Sequence, residues 1–115
     1  MRTILLATII STAVGCAGQP APTQQVASAL AAVRGAEVAG AKQDPEAALH
    51  LKLAQEQIEK ARQLMDEGEN ARAHSLAVRA DHDAELAIAL VRQKQAEQKL
   101  KTFTENRSTS GGTQP

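Results

Sequence analysis

The chain has 115 residues, thirteen basic and thirteen acidic side chains, and a single cysteine, Cys16. A lone cysteine excludes an intrachain disulfide framework and a cysteine-rich zinc site. Zero net charge and one aromatic, Phe103, argue against nucleic-acid binding, which draws on basic patches and stacking rings.

Residues 1–15 read as an address. Met1-Arg2-Thr3 carries one positive charge, and Ile4 to Val14 then runs without any. A basic start, a short apolar run and a small residue at its end describe a secretory signal. The run is too short to span a bilayer, which takes about 20 residues. Ala13-Val14-Gly15-Cys16 resembles the lipobox of bacterial lipoproteins, although that family prefers leucine where this chain has Ala13. The resemblance implies cleavage before Cys16, a diacylglycerol on its sulfur and an acyl group such as palmitate on the new amine. Two or more acyl chains anchor stably, at about 0.8 kcal/mol per buried methylene. Ala17 replaces the aspartate that often signals inner-membrane retention, so the resemblance favours the outer membrane, on its periplasmic face.

Residues 16–23 form a tether, partly extended by Pro20 and Pro22. Three helical stretches follow, in keeping with 23 alanines in the chain. The first covers about 24–39, with Thr23 as N-cap and Val26, Leu30 and Val33 on one face. Gly35 costs it up to about 1 kcal/mol against alanine, and Gly40 stops it. The second covers about 45–67. Asp44 is its N-cap, Pro45 suits its first position and Glu46 suits the positive end of its dipole.

Ala47, Leu51, Ala54, Ile58, Ala61 and Met65 recur at intervals of 4, 3, 4, 3 and 4, and Leu64 widens the stripe. Lys52–Glu56, Glu56–Lys60 and Glu59–Arg62 are spaced to pair on the outer face. Gly68 ends this helix. The third covers about 71–103, with Asn70 as N-cap. Ala73, Ala77, Ala80, Ala84, Ala87 and Val91 repeat the 4-3 spacing, with Leu76, Leu86, Leu90 and Leu100 flanking. After Val91 the rhythm is lost, and the last turns project into solvent or meet a partner. Residues 106–115 are polar and contain two glycines, so they read as a disordered tail.

The fold expected is all-α. The Gly68-Glu69-Asn70 turn is too short for anything but antiparallel neighbours, so the second and third stretches form a helical hairpin. Alanine seams of seven-residue period let the helix axes approach closely, at a crossing near +20°. They bury little apolar area per residue. Either the shorter first helix packs on the hairpin, giving a three-helix arrangement in residues 24–105, or self-association supplies the missing burial.

Chemistry-bearing residues are few. Asp81-His82-Asp83 and His74 invite a metal reading, but His74 and His82 are about 12 Å apart along a helix. Asp81 and Asp83 point in different directions, so a polar face with an Arg79–Asp83 pair is the simpler reading. His50 reads as a surface or seam-edge residue. No serine lies in a nucleophile context and no glycine-rich phosphate loop is present. The carboxylates alternate with bases, as on a solvated surface. The expectation is therefore a non-enzymatic protein with no cofactor and no metal.

Leu64-x-x-x-Gly68 with Ala73, Ala77 and Ala80 looks like part of a tetratricopeptide unit, but an array needs about three. A wider resemblance covers Val26 to Leu100. Gly40-Ala41, Asp44-Pro45-Glu46, Ala54 with Ala61, Leu64 with Gly68, and Ala73 through Ala87 resemble a family of small bacterial envelope lipoproteins known only as a domain of unknown function. Where that family has an aromatic-Ala-Pro motif, this chain has Gln43-Asp44-Pro45. Some relatives carry an OmpA-like peptidoglycan-binding domain downstream; none is read in these residues, so cell-wall binding is not carried over. Cys16, the alanine seams and the polar end of the third helix together point to a lipid-anchored protein that acts as a helical spacer or adaptor, toward an envelope partner or itself. The alternative is a binding module for a small ligand or wall component, in a groove between the first helix and the hairpin.

Overall fold

A computed structural model of the protein describes residues 18–110. The expected signal segment 1–15, Cys16 and residues 111–115 lie outside the described residues. Within them the chain forms α1 (Thr23–Ala39), a 3-10 turn (Ala41–Gln43), α2 (Pro45–Asp66) and α3 (Asn70–Ser110). The all-α hairpin with an added first helix is therefore the observed fold.

Local chemistry explains the helix ends. Gly40 adopts φ 96°, a left-handed conformation open to glycine, and its N–H returns to the Ala36 and Glu37 carbonyls. The Asp44 carboxylate accepts from the Glu46 and Ala47 N–H groups at 3.1 and 2.9 Å. Pro45 follows at the first helical position, as its missing N–H allows. Gly68, at φ 77°, turns the chain from α2 into α3.

Two expected caps are corrected. Pro22, not Thr23, is the N-cap of α1 and supplies no side-chain bond. Its carbonyl already receives the Val26 N–H at 3.1 Å, which draws Thr23 into the first turn. Asn70 is likewise the first residue of α3 rather than its cap. Glu69 stands in the cap position, its carbonyl receiving the Ala73 N–H at 3.0 Å. The Asn70 amide is occupied elsewhere, donating to the Gln19 carbonyl at 2.7 Å.

The helices run up, down and up. α3 returns antiparallel along α2, while α1 lies parallel to α3. Ser28 Oγ reaches Asp81 Oδ1 at 3.2 Å, and an atom added at Gly35 would meet Ile88 Cδ1 at 3.4 Å. The first of these contacts lies near the beginning of α1, the second near its end, and both match equal steps along α3. The core is the meeting of three seven-residue seams. α1 contributes Val26, Ala29, Val33 and Ala36; α2 contributes Ala47, Leu51, Ala54, Ile58, Ala61 and Leu64. α3 contributes Ala73, Ala77, Ala80, Ala84, Ala87 and Val91, as its spacing predicts.

In α2 it is Leu64 that is buried, and Met65 is half-buried. In α1 Leu30 is half-buried, and the fully buried positions are Ala29 and Ala36. Leu30 leans to the flank because Val26, Ala29, Val33 and Ala36 keep the 3-4-3 spacing that faces the bundle.

α3 is longer than expected. It runs to Ser110, through residues 106–110 of the expected disordered tail. No glycine or proline interrupts it before Gly111. Its polar end also satisfies itself. Thr102 Oγ1 donates to the Gln98 carbonyl, Thr104 to Leu100 and Lys101, and Thr109 to Glu105 and Asn106, all within 3.1 Å. Every residue from Arg92 to Ser110 is exposed; Lys94, Gln95 and Gln98 still border the α1–α2 connection, and the helix beyond them stands clear of the bundle. At about 1.5 Å per residue, α3 is roughly 61 Å long and α2 roughly 33 Å.

Candidate functional site

The residues singled out by sequence fall into three places. Cys16, the expected lipidation site, lies outside the described residues. Asp81, His82 and Asp83 diverge around α3: Asp81 meets Ser28 of α1, and Asp83 faces α2. His82 stays exposed, 3.7 Å from Glu85. His74 is half-buried and apart from them. No group of three or more His, Cys, Asp or Glu side chains among the described residues is placed to hold a metal ion.

Asp83 does not pair with Arg79. Its Oδ1 lies 3.0 Å from His50 Nδ1, and its Oδ2 accepts from Gln57 Nε2 at 2.7 Å. His50 and Asp83 have about a fifth of their side-chain surface exposed. Removal from water makes the cross-helix contact preferable to an i,i+4 pair on the open face. His50 and Gln57 stand seven residues apart on α2, beside the same seam. That polar pair at heptad spacing is the signal in the sequence for this contact. Gln57 Oε1 is buried without a partner. The cluster ties α2 to α3 across the hairpin.

Of the outer-face pairs expected in α2, Lys52–Glu56 forms at 3.7 Å and Glu59–Arg62 at 3.1 Å. Lys60 instead donates to Gln63 Oε1 at 2.9 Å, not to Glu56. These are solvent-exposed contacts of small energetic weight.

A groove between α1 and α2 encloses about 790 Å³, with Leu30, Val33 and Ile58 as its floor. Its polar rim, Gln55, Glu56, Glu59, Lys60 and Gln63, comes entirely from α2. Polar groups that fix a ligand usually converge from several sides. Here one wall is polar and the other is not.

The opposite end of the molecule is the exposed end of α3. Arg92–Ser110 presents helix on all sides, with Leu100 and the only aromatic, Phe103, both exposed. Arg107 covers the Phe103 ring, its guanidinium carbon 5.9 Å from the centroid. No helix among the described residues is long and apolar enough to cross a membrane.

Neither the curated proteins nor the solved structures contain a match to this chain. A family model described as Domain of unknown function (DUF4398) matches residues 24–102, which covers α1, α2 and α3 as far as Thr102. Match and fold agree in extent, and the chain belongs to the DUF4398 family.

Proposed function

We propose that the protein is a lipid-anchored, non-enzymatic spacer or adaptor of the bacterial cell envelope. One observation carries this reading: the two ends of the described chain lie at opposite ends of a long helix. Gln19 is held at the first residue of α3 by Asn70, while the exposed end of α3 lies roughly 60 Å away. An anchor at Cys16, three residues before Gln19, places that contact near a membrane. The Arg92–Ser110 surface is then carried away from it. The outer membrane is the favoured site, from the resemblance of residues 13–16 to a lipobox and from Ala17 after it.

The experiment is metabolic labelling with palmitate followed by membrane fractionation. Wild-type protein is expected to take up label and sediment with membranes, and Cys16→Ala to lose both. Equal labelling and recovery for the two would overturn the anchor. The groove reading has less support, because its polar groups line one wall only.

A further inference from the structure

The outer face of α3 carries a second seven-residue repeat that the bundle does not use. Leu86, Ala89, Gln93, Ala96, Leu100 and Phe103 follow at spacings of 3, 4, 3, 4 and 3. All six are exposed, the larger ones at 42% for Leu86, 65% for Leu100 and 62% for Phe103. At about 3.6 residues per turn, this strip lies roughly half a turn away from the buried Ala80-Ala84-Ala87 seam. α1 and α2 therefore leave it open. A repeat of 3.5 residues is the spacing that keeps one helix facing another along a left-handed supercoil.

We propose that the strip pairs with the same strip of a second copy, as a parallel, in-register, two-stranded coiled coil. Charge on the rims selects the partner and its direction. Glu85, Arg92 and Lys99 form one rim; Leu90, Glu97 and Thr104 form the other. In a parallel pair each residue of the first rim faces the residue five positions further on in the other copy. Arg92 then meets Glu97 in both directions, Glu85 meets Leu90 and Lys99 meets Thr104. No like charges oppose. The antiparallel register that sets Phe103 against Leu86 and Leu100 against Ala89 brings Arg92 of one copy beside Lys99 of the other.

Gln93 adds a second selector. It meets its own counterpart only in the parallel register, and a single polar seam position is a device for fixing register and oligomeric state. Glu97 is already held at the rim by Gln93 Nε2 at 2.9 Å. The strip is short, about 26 Å from Leu86 to Phe103, so association in dilute solution is weak. Confinement to a common surface would raise it by effective concentration. The inference rests on the α3 surface alone and not on the anchor.

The test uses the full-length chain in mild detergent, concentrated so that weak association is populated, in a Cys16→Ala background so that each variant has one thiol. Ala89→Cys and Ala96→Cys lie on the strip; Thr102→Cys, also exposed, lies away from it. On mild oxidation both strip variants are expected to form disulfide dimers, with Thr102→Cys at background. Adding Leu100→Glu is expected to cut dimer yield by about tenfold, as loss of an interface anchor does. Dimers no more abundant than for Thr102→Cys would overturn the pairing. So would dimers from only one of the two strip positions, which an antiparallel pair gives, or dimers that survive Leu100→Glu.

Discussion

Asn70 donates its side-chain amide to the Gln19 carbonyl at 2.7 Å, across 51 positions of sequence. The contact joins the segment before α1 to the hairpin turn, next to the buried Pro22. It sets which end of the bundle an amino-terminal anchor would occupy. The cost is visible: Asn70 Oδ1 is buried without a hydrogen-bond partner. Asn70→Ala is expected to free residues 18–22, read as faster cleavage there in limited proteolysis. Stability should fall by only about 0.5–1.5 kcal/mol, the net worth of one hydrogen bond. Unchanged cleavage would mean that Pro22 packing alone holds the segment.

The alanine seam allows no larger side chain without movement. Ala80 is fully buried at the centre of α3. Ala80→Glu places a charge there without a partner and is expected to destabilise by several kcal/mol. Ala80→Leu keeps polarity constant and overpacks, at a cost of about 1–3 kcal/mol. Thermal melts of both variants check this, with Ala31→Leu on the exposed face of α1 as the control expected to stay near wild type.

The His50–Asp83–Gln57 contact gives a discriminating pair of variants. Asp83→Ala leaves two half-buried partners without their acceptor and is expected to cost about 1–3 kcal/mol. Arg79→Ala, which removes the partner that i,i+4 spacing suggests, is expected to stay within about 0.5 kcal/mol. Denaturant unfolding separates them. Equal effects would mean that Asp83 acts through α3 alone.

Gly35 is a place where the natural residue is not the most stable one. Alanine there gains up to about 1 kcal/mol of helix propensity. Its methyl would meet Ile88 Cδ1 at 3.4 Å, the near edge of ordinary contact with the end of a flexible side chain. Gly35→Ala is expected to raise the melting temperature by a few degrees, at about 4–8 °C per kcal/mol for a small domain. A fall would show that α1 and α3 need the closer approach that glycine permits.

Legibility in the sequence followed the physical range of each interaction. The α3 seam was readable because alanine at 4-3 spacing is uninterrupted from Ala73 to Ala87 and is buried throughout. In α1 the smaller Ala29 takes the seam and the larger Leu30 the flank, because spacing and not size decides which position faces inward. Asp44 and Gly40 were readable because capping is local. His50 and Asp83 were not paired in advance because they are 33 residues apart, and only the hairpin register brings them together. The far end of α3 is helical to Ser110 although its polar composition suggests disorder. Thr102, Thr104 and Thr109 instead bond to carbonyls of the preceding turn.

The spacer reading depends on orientation at a surface. The direct measurement is energy transfer from a dye on the protein to an acceptor in the bilayer, with lipidated protein in liposomes. One dye sits at position 72 beside the hairpin turn and, in a second sample, one at position 108. These positions are roughly 54 Å apart along α3. An anchored, upright spacer predicts strong transfer from position 72 and little from position 108. Equal transfer from both, with the helix lying along the membrane or the protein away from it, would contradict it.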